Sequence, residues 1–277
     1  MTPTELGEQI ASAAQELARS DGLLIGAGAG MGVDSGLPDF RGGEGFWKAY
    51  PALRAQQLNF VDMANPSWFR RDPARAWGFY GHRLQLYRQT VPHKGFAALM
   101  KIAESLEEGA FVFTSNVDGH FQKAGVDSER VVECHGSIHH LQCSGSCREI
   151  WSAEDLDLEV DAAELRALGS LPSCPRCGAV ARPNILMFQD HAWIDQRTAR
   201  QERALRLWLQ RMESKRLAVI ECGAGIVIPT VRWTCERLAK RLIRVNPHEP
   251  RVPPGHIGLA AGAEHALVGI EAARASL

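Results

Sequence analysis

Four cysteines fall in two close pairs, an arrangement that suits a metal ion. Cys143 and Cys147 form the first pair, and Cys174 and Cys177 form the second. Four thiolates from two short turns match the tetrahedral geometry of zinc, and a shell closed by four sulfurs is structural rather than catalytic. A redox disulfide between Cys174 and Cys177 is the alternative. We expect one structural zinc ion, and we expect the surrounding segment to loosen if the ion is lost.

A dense run of glycines could bring the backbone close to a phosphate group. Eight of the 26 glycines fall at positions 26, 28, 30, 32, 36, 42, 43 and 45, directly after an apolar run. Glycine permits close backbone approach, and free N–H groups at a strand-to-helix turn attract a pyrophosphate. The spacing matches neither the dehydrogenase fingerprint nor the phosphate loop of ATPases. The alternative is a turn that only closes the fold.

Three polar side chains could supply proton transfer and positioning. A histidine such as His135 ordinarily titrates near neutral pH, which suits a general base; a hydrogen-bonded structural histidine is the alternative. Asn116 and Asp118 lie two positions apart at the end of an apolar run, so they can project on one side. Asn, Asp and Gly also favour turns without any ligand. Cys134 would point away from His135 in an extended chain, which predicts a core residue rather than a nucleophile.

Tyr80 and Arg83 lie three positions apart, so on a helix they occupy one face. A guanidinium group beside a phenol binds a carboxylate through charge-assisted hydrogen bonds. The alternative is a solvated, arginine-rich helix whose packed side carries Trp77, Tyr80, Leu84 and Tyr87. The pair is therefore consistent with a pocket for an acidic group and with a solvated helix face, and both alternatives stay open here.

The elements that must position these residues follow an alternating pattern. Residues 4–17 carry apolar side chains at helical spacing and lead into an apolar run at 23–29. Short apolar runs recur with helix-like segments between them, at 111–113, 217–220 and 242–245. This alternation predicts an α/β fold with a parallel sheet. Two segments interrupt it, residues 43–92 and residues 141–183, and we expect them to pack together as a smaller lobe.

Composition narrows the functional classes. The 277 residues contain 31 basic and 32 acidic side chains, a formal net charge of −1, which disfavours a broad nucleic-acid-binding surface. The hydrophobic fraction of 45% is that of an ordinary globular protein. Neither an apolar run long enough to span a bilayer nor a signal-peptide pattern is present, so we expect a cytoplasmic protein without membrane contact.

The glycine-rich segment closely resembles the NAD-binding loop of the sirtuin family. It reads GAGMGVDSGLPDFRG over residues 28–42. Further stretches resemble other sirtuin motifs in the same order along the chain, namely TSNVDG at 114–119 with AG at 124–125, ECHGS at 133–137, RPNILMF at 182–188 and VN at 245–246. Several long motifs in the right order make coincidence improbable.

The resemblance implies an NAD-dependent protein lysine deacylase that binds an acyl-lysine protein or peptide and releases nicotinamide and O-acyl-ADP-ribose. It implies a Rossmann-type NAD domain of residues 1–42, 93–140 and 184–277, and a smaller domain with a helical part at 43–92 and a zinc part at 141–183. His135 would act as the base, while Asn116 and Asp118 would position nicotinamide and water. The remaining expected NAD contacts are Gly28, Ala29, Gly30, Asp39, Phe40, Arg41, Ser115, Gly223, Ala224, Gly225 and Asn246.

The substrate side follows from the same resemblance. Ile185, Leu186 and Phe188 would bind the acyl-lysine peptide as an added strand. The spacing of Tyr80 and Arg83 matches the pocket motif of the sirtuin subgroup that removes succinyl, malonyl and related acidic acyl groups. We therefore expect deacetylase activity, which the Tyr80–Arg83 pair would extend to acidic acyl groups such as succinyl and malonyl.

The chain departs from the sirtuin pattern at several contact positions. Ser115 replaces a glutamine, Gly223-Ala224-Gly225 replaces Gly-Thr-Ser in a loop one residue shorter than usual, and Gln189-Asp190 replaces Gly-Glu. These changes leave two alternatives open. The chain could favour NAD hydrolysis or ADP-ribosyl transfer, or it could bind NAD without turnover as a sensing module.

Overall fold

Helices and strands alternate along most of the chain. The computed structural model describes residues 2–38, 43–145 and 147–277, with residues 43 and 44 described by their backbone alone. The helices are α1 (Pro3–Ala18), α2 (Gly43–Ala49), α3 (Pro51–Ala55), α4 (Phe60–Met63), α5 (Trp68–Arg71), α6 (Pro73–Gln89), α7 (Lys94–Glu104), α8 (His120–Lys123), α9 (Gln196–Arg211), α10 (Thr230–Leu238) and α11 (Ala263–Arg274). The strands are β1 (Gly22–Ala27), β2 (Ala110–Thr114), β3 (Val131–Glu133), β4 (Gly136–Cys143), β5 (Ile150–Ser152), β6 (Val160–Asp161), β7 (Arg166–Ala167), β8 (Ala181–Ile185), β9 (Leu217–Cys222), β10 (Leu242–Val245) and β11 (Ile257–Leu259).

The larger part of the molecule is built on a six-stranded sheet in the order β11-β10-β9-β1-β2-β3. Every neighbouring pair in it is parallel. The strand order reverses between β1 and β9, and ligands of open parallel sheets bind beyond the carboxyl ends of the strands at such a reversal. The predicted Rossmann-type parallel sheet is confirmed.

Helices cover both faces of this sheet, as a parallel sheet requires. Leu23 and Ile25 of β1 belong to a core shared with α1, α7 and α11, while Leu24 belongs to a second core shared with α9 and α10. This split follows from the alternation of side chains along a strand. A Cβ on Gly26 would stand 2.2 Å from Cys235 Sγ of α10, so the strand needs glycine there.

The two inserted segments pack together, as expected, into a smaller lobe. A three-stranded antiparallel sheet of β5, β4 and β8 meets the helices α2 to α6 in one apolar core, with Trp77, Phe79, Leu141 and Ile185 among its buried members. The boundaries anticipated at residues 140 and 183 fall inside β4 and β8, so these two strands run from one part of the molecule into the other.

Helix α6 presents two different faces. On one face, a Cβ on Gly78 would stand 2.1 Å from the Leu165 carbonyl oxygen, and one on Gly81 would stand 2.7 Å from Leu158 Cδ2. These glycines let the helix press against the hairpin of β6 and β7. Tyr80 and Arg83 project from the other face, toward the parallel sheet.

Across the described ranges, no helix combines the length and the apolar character that crossing a bilayer requires.

Candidate active site

Two glycine turns meet backbone to backbone at the carboxyl edge of the parallel sheet. The N–H of Gly28 donates to the Cys222 carbonyl at 2.9 Å, and the N–H of Gly30 donates to the Gly223 carbonyl at 3.0 Å. Gly223 has φ +61°, and a Cβ there would stand 2.3 Å from the Gly30 carbonyl carbon. The turn after β1 and the turn after β9 therefore hold each other at the point where the strand order reverses.

The side chain of Asn246 supports the second of these turns. Its Nδ2 donates to the Ala224 carbonyl at 3.2 Å, and its Oδ1 accepts the N–H groups of His248 and Glu249, both at 3.0 Å. Arg232 Nε donates to the same Ala224 carbonyl at 3.0 Å. Asn246 thus lies beside the turn that follows β9 and makes three polar contacts inside the chain; its contact with a ribose stays a prediction.

Asn116 and Asp118 follow the end of β2 and lie next to the first glycine turn. Asn116 Nδ2 donates to the Gly28 carbonyl at 2.9 Å. Asp118 Oδ1 accepts the His120 N–H at 2.9 Å, and the Asp118 carbonyl lies 2.8 Å from His139 Nε2, which must donate because a carbonyl only accepts. These bonds fix both residues at the same end of the sheet.

A cavity of about 240 Å³ lies between the parallel sheet and the smaller lobe. The predicted site residues that line it come from both parts of the molecule, and they are Ala29, Tyr80, Arg83, Ser115, Asn116, Asp118, His135, Ile185, Leu186 and Phe188. Residues predicted for NAD chemistry and residues predicted for acyl recognition therefore face one cavity.

The small-lobe end of this cavity carries a buried cation. Arg83 is only 6% exposed, and its Nε and Nη2 donate to Tyr87 Oη at 3.1 and 2.7 Å. Its guanidinium carbon lies 5.3 to 5.8 Å from the ring centroids of Phe60, Phe79, Tyr80 and Tyr87, distances typical of cation–π contacts. Arginine remains charged at every physiological pH, so this end of the cavity is positive.

Tyr80 contributes a hydroxyl group to the same end. The residue is 1% exposed, and its Oη has no hydrogen-bond partner among the described residues. Burial raises the pKa of Tyr80 to about 12, so the hydroxyl stays protonated and able to donate. A buried hydroxyl without a partner is costly, and a ligand atom that accepts from it would remove that cost.

The segment after β8 forms the wall beside His135. The Leu186 N–H donates to the His135 carbonyl at 2.9 Å, and the Phe188 N–H donates to the Ala64 carbonyl at 2.9 Å. The strand that the resemblance implies over residues 182–188 ends at Ile185, and the N–H groups of Leu186, Met187 and Phe188 are bonded within the chain.

A buried ion pair holds this segment. Arg182 and Asp190 form two parallel contacts, with Nη1 to Oδ1 at 3.0 Å, and both side chains are almost fully enclosed. Asp190 Oδ2 also lies 3.3 Å from the Met187 N–H. Gln189 has φ +56°, a conformation that favours glycine. Gln189 thus adopts a left-handed conformation without being glycine, and the carboxylate of Asp190 pairs with Arg182.

The four paired cysteines converge as the sequence predicts. One sulfur from each of Cys143, Cys147, Cys174 and Cys177 lies within 4.8 Å of the others, and the Sγ atoms of Cys143 and Cys177 are 3.6 Å apart. Zinc–sulfur bonds of about 2.3 Å place tetrahedral sulfurs about 3.8 Å apart. The N–H of Ala179 lowers the pKa of Cys177 to about 7, whereas the hydrogen bond to Cys177 raises the pKa of Cys147 and burial raises that of Cys143. The donor set and spacing fit one structural zinc ion.

Some predicted site residues lie outside the described part of the chain, and some residues that line the cavity carry no signal in the sequence. The expected NAD contacts Asp39, Phe40 and Arg41 lie outside the described residues. Phe60, Ala64 and Ile228 line the cavity without any sequence signal that pointed to them. Tyr87 also lines it, and its spacing of four from Arg83 is the signal that could have identified it.

Comparison with known proteins agrees with this geometry. The Sir2 family model matches residues 28–204. An NAD-dependent protein deacylase of Thermococcus kodakarensis is 31% identical over 244 residues, which cover 87% of this chain and 86% of that protein. A protein of the same description from Thermus thermophilus is 29% identical over 266 residues, covering 92% and 91%. The chain belongs to the Sir2 family, the sirtuins.

Solved structures agree with the fold. A Sir2 homologue mutant in complex with ADP ribose superposes with a TM-score of 0.70 at 22% identity, covering 100% of this chain and 97% of that one. A Sir2 homologue in complex with NAD superposes with a TM-score of 0.69 at 22% identity, covering 96% and 94%. At this level of identity the likeness establishes the shared architecture.

Proposed function

We propose that this chain is an NAD-dependent protein lysine deacylase. The observation that carries the proposal is the single cavity that Asn116 and His135 share with Tyr80 and Arg83. One end lies at the carboxyl edge of the parallel sheet, where family members bind a dinucleotide, and the other end can receive an acyl group. Its relatives from Thermococcus and Thermus carry the same activity in their names.

NAD, when bound, would supply the ribosyl carbon that bonds to the acyl oxygen, with nicotinamide as the leaving group. Gly28, Gly30 and Gly223 leave the turns at the strand ends without side chains, so a ligand can approach the backbone there, while their own N–H groups are bonded within the chain. Asn116, held by its bond to the Gly28 carbonyl, and Asp118 offer an amide and a carboxylate for orienting a carboxamide and water.

His135 is the proposed general base. Its backbone carbonyl is bonded to the Leu186 N–H, so the residue is held against the wall that the acyl-lysine peptide would follow. The imidazole accepts a proton from a substrate hydroxyl during acyl transfer. The expected products are deacylated lysine, nicotinamide and O-acyl-ADP-ribose.

We further propose that the acyl group can be acidic, as in succinyl- or malonyl-lysine. A carboxylate at the small-lobe end of the cavity would meet the Arg83 cation and the Tyr80 hydroxyl, whose hydrogen-bonding capacity is unused among the described residues. Charge-assisted bonds of this kind are about twice as strong as neutral ones, and burial strengthens them further. An acetyl group would leave the Tyr80 hydroxyl without that acceptor.

The test of the main proposal is nicotinamide release from NAD by the purified protein. Release should require an acyl-lysine peptide and should fall by at least about 100-fold in His135→Ala, the range of general-base contributions. Release without peptide would instead indicate NAD hydrolysis or ADP-ribosyl transfer, which the altered contacts at Ser115 and Ala224 would favour. NAD binding without release would indicate a sensing module.

The test of acyl preference compares succinyl-lysine with acetyl-lysine in one peptide sequence. The ratio of kcat/KM should favour succinyl in the native protein, and Arg83→Met should reverse it by removing the cation while keeping the apolar stem. An unchanged ratio in Arg83→Met would reject the acidic pocket and leave the deacylase proposal standing.

A further inference from the structure

Helix α6 carries a third polar residue at the cavity. Tyr80, Arg83 and Tyr87 recur at spacings of three and four, so they lie along one face of the helix. All three line the cavity, and Tyr87 is only 4% exposed. The pocket motif recognised in the sequence contains the first two residues and leaves Tyr87 without a role.

Tyr87 holds a defined edge of the Arg83 guanidinium. Both Nε and Nη2 of Arg83 donate to the single oxygen of Tyr87, at 3.1 and 2.7 Å. Because the guanidinium is planar, two donors on one oxygen hold that edge of the group toward Tyr87 and direct the opposite edge away from it. A carboxylate that binds Arg83 would then approach from the Nη1 side, away from the edge that Tyr87 occupies.

This anchoring matters because an arginine side chain has several rotatable bonds. Binding a carboxylate to a mobile guanidinium requires ordering it at that moment, which weakens the affinity. A cation held in place before binding avoids the loss. The same guanidinium also lies over the ring faces of Phe60, Phe79 and Tyr80. A ring face constrains the orientation of the guanidinium less than a hydrogen bond does.

We propose that Tyr87 is a positioning residue that orients Arg83 and thereby determines selectivity for acidic acyl groups. The inference rests on the proposed function, because it concerns the same acyl pocket. It adds a residue that acts through Arg83 rather than on the reacting atoms.

The experiment is Tyr87→Phe, which removes the accepting oxygen and keeps the ring. We expect KM for a succinyl-lysine peptide to rise about tenfold with kcat within about twofold, the size expected for one lost bond to a charged group. Because an acetyl group has no carboxylate for Arg83, KM for the acetyl-lysine peptide should stay within about twofold.

Two further variants separate positioning from packing. Leu84→Val is the packing control, because Leu84 is as buried as Tyr87 on the same helix, 2% exposed, and is not among the residues that line the cavity; it should leave the succinyl-to-acetyl ratio unchanged. In an Arg83→Met background, Tyr87→Phe should have no further effect on the succinyl peptide, since a residue that acts only through Arg83 is silent without it.

The outcomes distinguish the two proposals. If the native protein does not act on succinyl-lysine, the acidic-acyl proposal and this inference both fall. If the native protein does so but Tyr87→Phe raises KM equally for succinyl and acetyl peptides, only the role of Tyr87 is overturned. An equal effect of Tyr87→Phe with and without Arg83 would likewise reduce Tyr87 to a packing residue.

Discussion

Backbone contacts shape one end of the cavity, and side-chain contacts shape the other. At the sheet end, the contacts that shape the site join backbone to backbone, as in the bond from the Gly30 N–H to the Gly223 carbonyl. At the small-lobe end, side chains do this work, with Arg83 held by Tyr87 and surrounded by aromatic rings. The same cavity thus has one end that depends on the absence of side chains and one that depends on their identity.

This difference predicts how each end responds to substitution. Backbone contacts survive most side-chain changes, so the sheet end can keep its shape although Ser115 and Ala224 depart from the family pattern. They do not survive an added Cβ at a close approach. A pocket made of side chains can change its preference through a single substitution, so acyl selectivity is the property we expect to vary most easily.

Zinc removal should have the largest effect, and it should separate the two ends. A chelator should expose residues 141–183 to proteolysis, because four thiolates then lose the ion that holds them together. The peptide-dependent release of nicotinamide should be lost as the small lobe loosens. Limited proteolysis followed by mass spectrometry measures the first effect, and restoring protection with added zinc is the control. Unchanged proteolysis would show that the lobe does not need the metal.

Gly223→Ala should destabilise the sheet end by roughly 4 kcal/mol. The new Cβ would stand 2.3 Å from Gly30, and alanine at φ +61° is strained as well. Denaturant unfolding measures the change. Gly225→Ala is the matched control, because no atom lies within 4 Å of a Cβ there, and it should change the free energy of unfolding by less than about 0.5 kcal/mol. Equal effects of the two variants would refute the backbone-contact argument.

Asp190→Asn should cost about 3 kcal/mol, because it leaves the buried Arg182 guanidinium without its charge partner. The wall at residues 186–188 should loosen with it, so KM for the peptide should rise more than kcat falls. Thermal unfolding and steady-state kinetics give the two readouts. Asp195→Asn, an exposed carboxylate whose side chain caps no helix N–H, is the control expected to be neutral. A neutral Asp190→Asn would contradict the structural role of the pair.

Protonation of His140 should make a smaller, pH-dependent contribution to the free energy of unfolding. Burial, with help from Arg197, lowers the pKa of His140 to about 4 from the ordinary 6.5. The unfolded chain therefore binds more protons between these values, so stability should fall as the pH falls from about 6.5 to 4. Because the ring is partly exposed, His140→Gln should remove only about 1 kcal/mol of this dependence.

The measurement for His140 is the free energy of unfolding across that pH range. His265→Gln, at an exposed position on α11, is the control and should leave the pH profile unchanged. If the free energy of unfolding falls by the same amount with pH in His140→Gln and in the native protein, protonation of His140 is not coupled to folding.

Several features of this protein follow from the sequence alone. The cysteine spacing predicts the four-sulfur cluster, and the apolar runs predict the parallel sheet, because both depend on residues close together in the chain or on a simple periodicity. The motifs from Gly28 onward identify the family. Each of these signals lies within a short stretch of sequence, so it can be identified without knowing how distant segments pack together.

Tertiary structure decided what the polar residues do. Helical spacing places Tyr80 and Arg83 on one face, but only the packing of Gly78 and Gly81 against the neighbouring hairpin turns that face toward the cavity. The internal bonds of Asn246 likewise depend on a turn that follows a different strand. Contacts between segments far apart in sequence depend on how the whole chain packs, and no local pattern records them.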